Sequence, residues 1–254
     1  MKEIKRNIYL QRIEKFMDKP IIKIIIGMRR VGKSVILKQI YKELKKKYNK
    51  RNFIYINKED IKFDFIDDYK KLYDHIKKNS KPKLKNYIFI DEIQEIKNWE
   101  KCIASLAISK NNDIYITGSN SSMLSSEIST LISGRYILFQ IFTLTFKEFL
   151  IFRGKNAKSK KEEFNNFIRF GGFPGIHYFD MDREVTYQYI RDIYSTIILK
   201  DIVSRYKIRN VALLENIYFY LMDNIGNITS ANKIKNYIKE KGLKTSVDSI
   251  LNYF

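Results

Sequence analysis

The stretch Ile21 to Ile40, IIKIIIGMRRVGKSVILKQI, limits the fold more than any other part of the chain. A short β-branched run leads through a loop containing Gly27 and Gly32 into a segment where Ile36, Ile40 and Leu44 recur every fourth residue, with Leu37 and Tyr41 beside them. The first part suits a buried strand and the last an amphipathic helix. A strand followed at once by a helix predicts a crossover to a parallel neighbour, hence a sheet covered on both faces.

The same alternation continues. NFIYIN (52–57), NYIFID (86–91), DIYITGS (113–119) and RYILFQIF (135–142) read as further strands, with helical segments between them. The expected fold over 1–142 is therefore an α/β domain with a mainly parallel sheet. After Thr143 strand signals stop, which predicts a helical extension over 143–206 broken by a turn at GGFP (171–174). Long helices are expected from about Asp182 to Tyr206 and from Val211 to about Asn224. The last part, 207–254, predicts a helix capped near Ser230, a turn at Gly242, and a second helix capped near Thr245 with Val247, Ile250, Leu251 and Phe254 inward. This pair is similar to the helix-turn-helix part of a winged-helix module. The sequence ends within that apolar face, with no wing hairpin, so the expectation is a piece of a longer protein.

A length of 254 residues is enough for one large domain or two modest ones, each with its own core. The formal charge of +20 has two explanations. Clustered cations bind polyanions such as nucleic acid by counterion release. An AT-rich coding sequence would also enrich lysine, here 36 residues against 12 arginines, without any partner. Only localisation of the charge decides between them. Cys102 is the single cysteine, so no intrachain disulfide can form, and the apolar runs are too short to span a bilayer. The expectation is a soluble, cytoplasmic protein with no membrane partner.

Gly27 and Gly32-Lys33-Ser34 match the P-loop spacing G-x-x-x-x-G-K-[ST], in the strand-to-helix context that the motif requires. Such a loop, Gly27 through Val35 with Met28, Arg29, Arg30 and Val31 between the glycines, turns backbone N–H groups toward a phosphate chain at a helix N-terminus. Lys33 would bridge the β- and γ-phosphates of ATP, and Ser34 would place its hydroxyl on Mg²⁺. A second acidic site comes from YIFIDEIQ: Asp91 ends a buried strand, where a carboxylate is costly without a cation, and Glu92 follows it. Asp91 suits the water shell of Mg²⁺, and Glu92 suits orientation and polarisation of the attacking water.

GMRRVGKS, YIFIDEIQEIKNWEKCIASL, ITGSNSSML and SGRYILFQIFTLTFKEFL resemble a family of bacterial and archaeal AAA-type ATPases of the ASCE class of P-loop proteins, over Ile21 to about Leu150. The resemblance implies an Mg²⁺-dependent ATPase with Asp91 on the metal and Glu92 as catalytic base, followed by a domain carrying a winged helix and often a nuclease-like fold. It also implies a γ-phosphate sensor among Thr117, Ser119 and Asn120, of which Ser119 and Asn120 could equally cap the next helix. Arg135 could act as an arginine finger or form a surface salt bridge. Gln94, Trp99, Arg29 and Arg30 fit the family pattern without an evident mechanism. Two functions from different classes follow: an ATPase that moves its C-terminal region, or a regulator that binds duplex DNA or a protein through the C-terminal module, with slow or no hydrolysis. A small-molecule kinase fits less well, because the Asp91-Glu92 pair belongs to water activation.

Overall fold

The computed structural model describes residues 4–119, 132–197, 202–203 and 206–254. Five strands, β1 (Ile22–Gly27), β2 (Asn52–Asn57), β3 (Asn86–Asp91), β4 (Asn112–Ser119) and β5 (Tyr136–Gln140), form one sheet in the order β2-β3-β4-β1-β5. All four pairings are parallel. Each expected strand is present, and β5 ends two residues early, where the Ile141 N–H still donates to the Ile26 carbonyl at 2.7 Å.

Helices α1 (Asn7–Glu14) and α2 (Lys33–Lys47) cover one face, and α3 (Tyr69–Asn79) and α4 (Trp99–Leu106) the other. Strand residues alternate between the two layers. Ile25, Phe89 and Tyr115 pack with Leu10, Ile36 and Ile40, while Ile24, Ile90 and Ile116 pack with Leu72, Ile76 and Ile103. Trp99, 3% exposed, belongs to this second layer as core. Helix α1 was not anticipated, because its apolar residues are embedded in a charged stretch; Tyr9, Leu10 and Ile13 are nonetheless buried.

The helical extension begins with α5 (Phe146–Arg153) and α6 (Lys160–Phe170), each opened by a reciprocal capping box, Thr145 with Glu148 and Ser159 with Glu162. Gly172 of the GGFP turn sits against Leu144, whose N–H donates to the Gly172 carbonyl at 2.6 Å. A Cβ at Gly172 would lie 2.4 Å from the Leu144 carbonyl oxygen. Contacts of this kind merge the extension with the sheet. The compact units are 1–193 and 194–254, so no seam falls at 142/143. Helix α7 (Arg183–Thr196) carries the chain from one unit into the other.

In the second unit, α8 (Val211–Asp223), α9 (Ala231–Glu240) and α10 (Val247–Leu251) enclose Leu213, Ile217, Ile234, Ile238 and Ile250. Ser230 caps α9 as expected, but the cap of α10 is Ser246, whose hydroxyl accepts from the Ser249 N–H at 3.0 Å. Ile250 is fully buried, whereas Leu251 and Phe254 are 54% and 74% exposed, against the expectation of a common inward face. Leu251 lies about 100° further round the helix, and Phe254 follows the end of α10. Among the described residues no helix is long and apolar enough to cross a membrane.

Candidate active site

The strand order places β1, β4 and β3 side by side, so their C-terminal ends present the glycine loop, Thr117 to Ser119, and Asp91-Glu92 along one edge. Gly27 aligns with Ser119. At Gly27 any side chain is excluded, because a Cβ would lie 2.4 Å from the Ile141 carbonyl oxygen. The loop then turns through left-handed backbone at Arg30 (φ 65°) and Gly32 (φ 96°). Helix α2 starts at Lys33 with no side-chain cap and no acidic residue in its first turn, which leaves its amide end suited to an anion.

Lys33 is 4% exposed, and its Nζ donates to the Met28 carbonyl at 3.1 Å while lying 3.6 Å from the Glu92 carboxylate. Ser34 Oγ donates to Asp91 Oδ1 at 3.1 Å. Thr117, fully buried, donates from its hydroxyl to the same Asp91 oxygen and accepts from the Glu92 N–H at 2.9 Å. It therefore braces the acidic pair. Burial pushes the Asp91 carboxyl above its ordinary value; hydrogen bonds from Thr117 and Ser34 oppose this, and the charges of Glu92 and Glu59 add to it. A hydroxyl beside a buried carboxylate is a hard-oxygen pair that suits Mg²⁺, which commonly takes few protein ligands and completes its shell with water and substrate phosphates.

Glu92 adopts a left-handed conformation (φ 53°) and is 8% exposed. One carboxylate oxygen faces Lys33; the other accepts from the Gln94 side-chain amide. The Gln94 amide oxygen is buried without a hydrogen-bond partner. A cavity of about 240 Å³ opens beside Glu92, lined by Arg29, Lys58, Glu59 and Asp64 among others. Met28 and Val35 are exposed at the loop, 44% and 48%.

The glycine loop is held from behind by Arg6, 4% exposed, which sequence reasoning did not single out. Its guanidinium donates to the Val31 carbonyl at 3.1 Å, to the Phe142 and Thr143 carbonyls, and bidentately to Glu148 at 2.8 and 3.0 Å. The positive charges crowded around Arg6 in the sequence gave no signal, since only the folded chain brings Glu148 to it.

A family model described as "AAA domain" matches residues 19–150. The chain belongs to this AAA family. A second model, "Domain of unknown function (DUF8612)", matches residues 161–254 and so begins within the first compact unit. An uncharacterized protein of Haemophilus influenzae is 34% identical over 98% of this chain and 63% of its own length. One from Methanocaldococcus jannaschii is 38% identical over 91% of this chain and 53% of its own. The chain thus spans between half and two thirds of these relatives. Among solved structures, AMPPCP-bound DnaA from Aquifex aeolicus aligns with TM-score 0.45 and 14% identity over 97% of this chain and 84% of that one. The Aeropyrum pernix ORC1 protein in complex with DNA aligns with TM-score 0.44 and 10% identity over 97% and 81%. No argument below rests on either alignment.

In this AAA chain the fold brings Lys33, Ser34, Asp91, Glu92, Thr117 and Ser119 to one edge. Arg135 is not among them. It immediately precedes β5, and its carbonyl accepts from the Ile22 N–H at 2.8 Å, at the start of β1. Gly27 lies five strand residues further on, roughly 16 Å away. An arginine-finger role within the same chain is therefore excluded by the direction of β5. Asn120 lies outside the described residues.

Proposed function

We propose that this chain binds ATP and hydrolyses it with Mg²⁺. The observation that supports this best is the convergence of Lys33, Ser34, Asp91 and Glu92 from the ends of β1 and β3, with Thr117 of the intervening β4 bracing the acids. The glycine-loop amides and the start of α2 bind the phosphate chain, and Lys33 leaves its contact with Glu92 to neutralise the β- and γ-oxygens. Ser34 and Asp91 would hold Mg²⁺, which would supply charge neutralisation at the phosphates. Glu92, steadied by Gln94, accepts a hydrogen bond from the attacking water and aims it at the γ-phosphorus. Glu92 meets Lys33 and Gln94 while Asp91 meets Ser34 and Thr117, and these separate partners suit the two acids to separate tasks.

Glu92→Gln is expected to bind ATP and to lose turnover by at least about 100-fold, the scale of a general base. Lys33→Ala is expected to weaken ATP binding itself. Steady-state phosphate release together with nucleotide binding checks both, and normal turnover in Glu92→Gln would overturn the assignment. Helix α7 crosses from the first unit into the second, so a nucleotide-dependent shift in the first unit has a covalent path to 194–254, in a cytoplasmic protein.

A second reading is a DNA- or protein-binding switch built on α9 and α10. It is favoured by the exposed Lys244 and Ser246 at the entry to α10. Loss of duplex or partner binding in a Lys244→Glu variant whose ATP turnover is unchanged would support it.

A further inference from the structure

The β2–α3 loop and three loops at the opposite edge of the sheet differ in charge. At the C-terminal edge, the β2–α3 loop, residues 58–68, holds five carboxylates and two lysines. At the N-terminal edge, where the helices end and the strands begin, the last turn of α2 and the loop to β2 hold Lys45, Lys46, Lys47, Lys50 and Arg51. The end of α3 and the loop to β3 add Lys77, Lys78, Lys81, Lys83 and Lys85, and the α4–β4 loop adds Lys110. Residues 45–51, 77–85 and 107–111 contain no Asp or Glu. All these cations are exposed except Lys85, which is half-buried.

The three loops form one continuous rim. The Asn52 N–H donates to the Lys85 carbonyl at 3.0 Å, and the Asn52 side chain donates to Asn79 and Asn86 at 2.8 and 2.9 Å. The Asn86 N–H donates to the Asn111 carbonyl at 2.8 Å, and Lys85 Nζ reaches the Lys110 carbonyl at 3.0 Å. Lysines in a last helical turn commonly offset the helix dipole. That accounts for one or two per helix; Lys85 also reaches the Lys110 carbonyl and, with Arg51, acts on Asp18, which leaves Lys50, Lys81, Lys83 and Lys110 to explain. A general coding bias toward lysine would also enrich both edges, yet the β2–α3 loop is acidic.

We propose that this rim binds the phosphate backbone of nucleic acid, at a surface on the first compact unit and separate from α9 and α10. Lysines act as point charges on phosphates and read no base edges, so the binding is independent of sequence and steeply dependent on salt. Membrane binding would also need apolar side chains to insert, and Ile108 is the one exposed large aliphatic residue on these loops among the described residues. The inference does not rest on the nucleotide site.

The test is fluorescence anisotropy of the full chain with a labelled random-sequence DNA duplex of about 30 base pairs, across a salt series. A variant carrying Lys46→Glu, Lys50→Glu, Lys81→Glu and Lys83→Glu is expected to lose more than about tenfold in affinity and to show a shallower salt slope by roughly 2 to 4. The corresponding four-glutamine variant should show a smaller loss in the same direction, with circular dichroism confirming the fold. A Lys233→Glu, Lys244→Glu variant should retain most of the binding. The proposal is overturned by no binding at about 50 mM salt, by binding that only the second-unit variant removes, or by tighter binding to phosphatidylserine vesicles than to duplex. ATP turnover without DNA, read on the same samples, separates the two proposals: the rim variant should keep it. A chain without turnover but with rim-dependent binding would sink the ATPase reading alone.

Discussion

Two buried lysines, ten residues apart at opposite ends of β1 and its loop, meet carboxylates in different ways. Lys23, fully buried, contacts Asp113 directly and donates to the Lys19 carbonyl at 2.9 Å. Asp113 also accepts from the Asp18 N–H at 2.9 Å and the Tyr115 hydroxyl at 3.0 Å, so every charge there has its partners. Lys33 stands 3.6 Å from Glu92 in left-handed backbone, beside a carboxyl that burial has raised and an amide oxygen with no partner. The first pair is closed on itself and holds the fold together. The second is longer, borders an orphaned amide oxygen, and sits on left-handed backbone whose strain packing must sustain.

The largest expected effect breaks the satisfied side. Lys23→Met leaves Asp113 buried without its cation and should cost about 3–5 kcal/mol of stability in urea denaturation. Lys33→Ala, whose loss falls on nucleotide binding, should stay well below that in the same measurement. Equal losses would erase the distinction.

His177 tests whether an unpartnered buried group must be functional. It is 4% exposed, packs 4.6 Å from Phe149 between ring centroids, and neither ring nitrogen has a hydrogen-bond partner. Burial, aided by the Arg153 charge and opposed by Glu163, lowers its pKa from 6.5 to about 4. A lowered histidine stays neutral in the fold while the unfolded chain takes up a proton, so its contribution to stability is present above pH 6.5 and is lost as pH falls toward 4. His177→Phe should remove a decline of at most about 3 kcal/mol across that window, read by denaturation at a series of pH values, and leave ATP turnover unchanged. The contrast with Gln94 is location: one orphan lies among phenylalanines, the other touches Glu92.

The smallest effect sharpens that contrast. Gln94→Ala should lower turnover by about tenfold, near 1.4 kcal/mol in the barrier, with ATP affinity preserved. Unchanged turnover would make Gln94 a packing residue.

The five strands were legible because each is a short β-branched run bounded by turns, and the glycine loop could be singled out because its residues are local: Gly27, Gly32, Lys33 and Ser34 lie within eight residues. Asp91-Glu92 could be read because a carboxylate pair at the end of YIFI has few structural uses. The α10 register was less legible, since Leu251 and Phe254 look apolar in a line, yet Leu251 lies on another side of the helix from Ile250 and Phe254 falls beyond its end. Gln94 could be seen in the sequence but not understood until its amide was found on Glu92.

By itself, then, the sequence determined the layered α/β domain and the places of the glycine loop and the acidic pair at strand ends, because periodicity and short motifs encode them within one turn or one strand. Only the tertiary structure decided what depends on strand order and direction. It set Thr117 between the two halves of the site, brought Arg6 across to Glu148, and sent Arg135 to the far edge of the sheet. It also gathered lysines from three separate loops onto one rim, because in a parallel sheet every crossover helix ends at the same edge.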